Sequence, residues 1–130
     1  MKTLLPPGWK KPKGYANGIA ARGTMVAVAG QIGWTAAGTF ATDDFVGQTR
    51  QALSNIVAVL AEAGGKPEHL IRMTWFVTDK QEYLANLAAL GQAYRDIIGA
   101  HYPAMTLVEV RALLEDRAKV EIEATAVIPD

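Results

Sequence analysis

Residues 119–127 read KVEIEATAV. Val120, Ile122, Ala124 and Ala126 alternate with Glu121, Glu123 and Thr125, which is the period of a strand and not of a helix. Successive strand side chains point to opposite faces, so the apolar set marks one face while Glu121 and Glu123 stand side by side on the other. This stretch decides the fold, because a strand so apolar on one face needs neighbouring strands and a cover. It also raises the question of chemistry. Two carboxylates on one strand face are either ordinary solvent-facing residues or the acid–base element of a cleft.

Working outward, AMTLVEVRAL (104–113) reads as a strand opened by Pro103, and LEDRA (114–118) as the turn into the last strand. LIRMTWFVTD (70–79), rich in branched and aromatic residues, reads as another strand. Between these two, Glu82 to Ile98 carries Leu84, Leu87, Ala88, Tyr94 and Ile97 at helical spacing, with Gly99 as a stop. A longer helix spans Phe45 to Ala63, with Thr42 or Asp43 as cap and Gly64-Gly65 as terminator. GIAARGTMVAVAGQIG (18–33) reads as a hairpin turning at Arg22-Gly23 into a buried strand from Met25 to Ala29. The order is strand, strand, helix, strand, helix, strand, strand, an α+β arrangement with two helices over one face of a sheet. Val26, Val28, Trp75, Val77 and Leu107 leave little to expose on either face, so the uncovered side is expected to meet another subunit.

The chain has 130 residues, half of them apolar, which suits one domain. Residues 1–14 hold three of the six prolines and four lysines and read as an extended N-terminal arm, leaving 15–130 as the single domain. Thirteen basic and thirteen acidic side chains cancel, so no net field draws the chain to nucleic acid or an anionic membrane. There is no cysteine, which excludes disulfides and a thiol nucleophile. The N-terminus lacks the apolar run of a signal peptide, and no stretch approaches the roughly 20 apolar residues of a membrane helix, so a cytoplasmic setting is expected.

Two histidines far apart, His69 and His101, offer no zinc-ligand spacing, and no metal site is expected. Ser54, the only serine, falls mid-helix and outside any nucleophile motif. GWKKPKGY (8–15) interleaves lysines with aromatics, but with zero net charge it argues only weakly for RNA contact. Glu121 therefore stands as the candidate for chemistry.

Five segments taken together, VAGQIG (28–33), QALSNI (51–56), WFVTD (75–79), YPAMTLVEV (102–110) and KVEIEATAV (119–127), resemble the RidA family, also called YjgF or L-PSP, from about Tyr15 to Val127. The resemblance implies a chorismate-mutase-like α+β fold with a mixed sheet and two helices on one face. It also implies a homotrimer whose clefts between subunits hold a small-molecule ligand. Archetypal members hydrolyse reactive enamines and imines such as 2-aminoacrylate to 2-oxo acids and ammonia, with no metal and no cofactor. Carried over by motif, Glu121 positions the water and Tyr15 lines the cleft. Gly30 and Trp34, in and just after VAGQIG, and Leu107, two residues on from position 105, are the further candidates for substrate contact. The arginine that grips the substrate carboxylate in those members is here Met105.

That departure has a chemical cost. Arginine binds a carboxylate through charge-assisted hydrogen bonds, each worth about 1.5–3 kcal/mol, and a thioether supplies neither charge nor donor. Met105 and Leu107 make one wall apolar, so a carboxylate needs a cation from elsewhere, with Arg111, Arg72 or a neighbouring subunit as sources. The leading expectation is a RidA-like deaminase or related hydrolase acting on a small imine or carbonyl compound other than 2-aminoacrylate. The alternative is a non-catalytic trimer that binds a small metabolite. An L-PSP-type endoribonuclease ranks last, since neither a histidine pair nor a basic groove is present.

Overall fold

A computed structural model describes residues 1–130. Its elements are β1 (Lys2–Leu4), β2 (Gly18–Ala20), β3 (Thr24–Gln31), α1 (Phe45–Glu62), a 3-10 turn at Pro67–His69, β4 (Leu70–Val77), α2 (Lys80–Ala85), α3 (Leu87–Ile97), β5 (Ala104–Glu109) and β6 (Val120–Ile128). Four strands form one mixed sheet in the order β3-β6-β4-β5, with β4 and β5 parallel and the other pairs antiparallel. No helix is long and apolar enough to cross a membrane.

The alternating stretch at Val120–Ile128 forms β6, an interior strand between β3 and β4. Val120, Ile122, Ala124 and Ala126 are buried and join the core with Leu70, Met73, Trp75 and Val77 of β4 and the inner face of α1. That face of α1 is Phe45, Ala52, Leu53, Ile56 and Leu60, at the spacing the sequence suggests. The cap is Asp44, not Thr42 or Asp43: its Oδ2 accepts from the Gly47 amide at 2.8 Å, and Thr42 Oγ1 accepts from the Asp44 amide at 3.0 Å. At the far end Gly64, at φ +77°, takes the left-handed conformation that lets the chain leave the helix.

Two further expectations are corrected. The residues read as one helix, Glu82–Ile98, belong to two, so the chain has three helices where two were expected. Asn86 interrupts them at φ −123°, ψ 21°, and its side-chain amide donates to the Glu82 carbonyl at 2.7 Å, the local bonding by which asparagine competes with helix continuation. Leu84 and Leu87, counted toward the buried stripe, are exposed, and the buried residues of α3 are Leu90, Ala93 and Tyr94. The β2–β3 hairpin is also absent. β2 pairs with β1, inside the N-terminal segment, while β3 pairs with β6. Gly23 sits at φ +143° with the Ile128 carbonyl oxygen 2.0 Å from where a Cβ would stand. Arg22-Gly23 is thus a corner against the end of β6, where only glycine fits.

The helices leave the other face of the sheet uncovered. Glu121, Glu123 and Thr125 lie there, beside Phe76, Thr74 and Arg72 of β4 and near Met25, which is 70% exposed.

Candidate functional site

The expected site residues fall into three places. Tyr15, Met105 and Leu107 share one: they line a cavity of about 410 Å³ on the helix-covered side, at the edge strand β5. Met105 pairs with Met73 and Leu107 with Trp75, so both point to the same face as the core. The cavity closes against α2 and α3 through Tyr83, Leu87, Leu90 and Tyr94. Tyr15 arrives there because the Ala16 amide donates to the Pro103 carbonyl at 2.9 Å and Ala16 bridges to Ala104, which ties the end of the N-terminal segment to the start of β5.

The floor is aromatic and held by hydrogen bonds. Tyr94 stacks on Tyr102 with ring centroids 5.3 Å apart, and its hydroxyl donates to the His101 carbonyl at 2.5 Å. A ring nitrogen of His101, Nε2, lies 2.6 Å from the Leu70 carbonyl, which gives this histidine a structural place. Burial, with Tyr102 alongside, pushes the Tyr94 phenol above its ordinary range, and burial also raises Tyr83. Both are protonated at neutral pH. Trp75 is 5% exposed, and its indole N–H is buried without a hydrogen-bond partner.

Glu121 and Gly30 make up the second place, on the uncovered face. Their closeness follows from an irregularity: the β3–β6 register shifts between Val28 and Gln31. A Cβ at Gly30 would stand 2.8 Å from Glu121 Cδ, so glycine at this bulge is what leaves room for the carboxylate. Glu121 is half-buried and takes part in none of the three ion pairs. Glu123, on the same face, is exposed. Glu109 shares the parity of Met105 and so lies on the opposite face from Glu121.

Trp34 forms the third place, in the loop before α1. It packs edge-on to Phe40 at 6.3 Å, and its carbonyl accepts from Asn55 Nδ2 at 2.8 Å; it does not line the cavity. Within one chain, then, the sheet separates Met105 from Glu121. Arg72 is exposed on the uncovered face and Arg111 lies beside Thr78 and Arg117. Neither reaches the cavity. The cations that do line it are Lys13 and Arg95, which sequence reasoning missed, although Arg95 one turn after Gly91 on a helix was a legible spacing. No group of three or more His, Asp or Glu side chains converges to hold a metal.

The chain matches the family described as Endoribonuclease L-PSP over residues 10–128. It is 35% identical over 113 residues to the 2-iminobutanoate/2-iminopropanoate deaminase of Salmonella typhimurium, covering 87% of this chain and 86% of that protein. Among solved structures it resembles YyfB of Yersinia pestis, described as a protein of unknown function of the conserved Rid protein family, with a TM-score of 0.86, 30% identity and 98% of each chain covered. It also resembles E. coli TdcF with bound serine, with a TM-score of 0.69, 33% identity and 98% and 99% of the two chains covered. With its small α+β fold, mixed sheet and three helices, the chain belongs to the RidA/YjgF/L-PSP family.

Proposed function

We propose that the protein is an imine deaminase, a cofactor-independent hydrolase that converts a reactive imine or enamine to the carbonyl compound and ammonia. It works as a homotrimer with its sites in the clefts between subunits. The observation that carries this reading is the placement of Glu121: a half-buried carboxylate outside every ion pair, seated over Gly30 at a strand bulge. The deaminase name of the Salmonella typhimurium relative supports the same chemistry.

An imine carbon is already electrophilic, so the reaction asks little of the protein. Glu121 accepts a proton as water adds to that carbon and forms a carbinolamine. With the imine entering as its iminium ion, Glu121 then returns that proton to nitrogen and takes up the carbinolamine hydroxyl proton as the C–N bond breaks and the C=O bond forms; ammonia leaves and carries that proton away as ammonium. Because Met105 and Glu121 occupy opposite faces of one sheet, a cleft lined by both takes Met105 from one subunit and Glu121 with Gly30 from the next. The uncovered face, with exposed Met25 and Val108, supplies the apolar contact for that assembly.

Imines released in the reaction vessel by an amino-acid oxidase, with the oxo acid and ammonia followed over time, test the activity. Sedimentation tests the assembly against three times the 14.0 kDa chain mass. A monomer, or hydrolysis no faster than in buffer across the panel, overturns the proposal.

A further inference from the structure

The cavity around Met105 has a one-sided charge. Lys13 and Arg95 line it and no acidic side chain does. Neither cation belongs to an ion pair, the three in the chain being Arg50–Asp96, Arg117–Asp43 and Lys119–Glu82. Asp96, next to Arg95 in sequence, is hydrogen-bonded to Arg50 and Gln92 instead, and Arg95 has only a 3.4 Å contact with Gln92.

The position of the guanidinium follows from the helix. Helix side chains lean toward the N-terminus and cover the preceding turn. Arg95 accordingly lies over Gly91, with Nη1 3.2 Å from where a Cβ on Gly91 would stand, and Gly91 itself lines the cavity. Glycine is a poor residue for a helix interior, and here its missing side chain leaves the guanidinium room at the cavity rim. The apolar lining is Trp75, Leu87, Leu90, Met105 and Leu107. The volume of about 410 Å³ falls in the range of small-molecule pockets.

We infer that this cavity binds an amphipathic organic carboxylate, its aromatic or branched alkyl body against Trp75, Met105 and Leu107 and its carboxylate held by Arg95 and Lys13. Resting on the deaminase reading, this names the substrate class of that site: imino acids with a bulky apolar side chain in place of three-carbon ones. The grip that an arginine at position 105 would provide at the strand is moved outward to the helix, which lengthens the distance between carboxylate anchor and apolar floor. A small imino acid then cannot reach both, whereas a longer one can.

The test titrates the intact protein calorimetrically with 3-phenylpropanoate, with its uncharged amide, and with propanoate. The acid is expected to bind at least tenfold more tightly than either of the others. Arg95→Gln should weaken the acid about tenfold and leave the amide unchanged, since a charge-assisted hydrogen bond is lost and the apolar walls are kept. Lys13→Gln should weaken it less, and added salt should reduce both effects. Gly91→Ala, which crowds the guanidinium, should fall between the two variants. Equal affinity for acid and amide, or no effect of Arg95→Gln in a folded protein, overturns the inference. These ligands do not react, so the outcome is separate from turnover. Binding through Arg95 with no hydrolysis of any imine, small or bulky, sinks the deaminase reading and leaves the carboxylate site, whereas hydrolysis of small imines but not of the phenylalanine-derived one sinks the substrate class inferred here. Hydrolysis of small imines with acid binding indifferent to Arg95 sinks this inference alone.

Discussion

On β6, the side chains turned toward α1 and those turned away come from alternate residues of one nine-residue strand, yet they live in different media. Val120, Ile122, Ala124 and Ala126 are closed in the core, while Glu121 is half-buried and Glu123 exposed. A slip of one residue would put two carboxylates into the core that β6 shares with α1, so the alternation fixes register as well as burial. The comparison teaches where the candidate sites lie: at the margins of each face and not in its middle. On the covered face the margin is the edge strand β5, where the break at Asn86 leaves Leu87 facing a cavity. On the open face it is the bulge at Gly30.

The sharpest way to break this comparison is Glu121→Gln. An amide of the same shape keeps the packing over Gly30 but accepts no proton, so kcat for imine hydrolysis should fall by roughly 10²–10⁴. Chemical denaturation should show its stability changed by no more than about 0.5 kcal/mol. Unchanged kcat would return the open face to an ordinary polar surface. One position along, Ile122→Ala should do the reverse. Removing most of a fully buried side chain should cost about 2–5 kcal/mol in a urea titration. A loss under about 1 kcal/mol would mean that the covered face is not a well-packed core.

The period-2 pattern of KVEIEATAV and the helical spacing of Phe45–Glu62 made β6 and α1 legible, because each encodes burial in its own sequence. What was illegible depended on distant partners. Nothing local in residues 18–33 tells that β3 will pair with β6 while β2 pairs with Lys2–Leu4. The break at Asn86 was hidden because Leu84 and Leu87 continue a helical stripe that the structure leaves exposed. At the candidate site, the family motifs led to Met105, Tyr15 and Leu107, which do line one cavity. They also led to Glu121, whose place across the sheet follows from counting strand parity through β4. Lys13 and Arg95 lay outside the motifs, and only the packing of α3 over β5 brings them to the rim.

A middle-sized effect belongs to Met105→Arg. It places a guanidinium at the strand and takes volume from the apolar floor, so action on 2-iminopropanoate should rise about tenfold, which corresponds to about 1.4 kcal/mol. Affinity for 3-phenylpropanoate should fall. Lys13 and Arg95 line the same space, and like charges oppose a third cation, so a thermal melt must first show the variant folded. A tenfold gain on both ligands would mean that Arg95 and Lys13 contribute nothing.

The smallest expected effect is the most demanding on the assignment. Glu123 shares the strand, the face and the functional group of Glu121, and differs in two ways: it is exposed, and it lies opposite Thr74 where Glu121 lies opposite Phe76 and against Gly30. If proton transfer depends on the shelter and position that the bulge provides, Glu123→Ala should change kcat less than about twofold and stability by less than about 0.5 kcal/mol. Should it instead lower kcat as far as Glu121→Gln does, with the sedimentation behaviour unchanged, the two carboxylates act as a pair. The bulge at Gly30 would then be a packing detail and not the feature that selects the base. Should it instead dissociate the proposed trimer, the loss of activity would trace to assembly, and raising the protein concentration would restore the rate. The concentration dependence of kcat therefore separates a paired base from an interface residue.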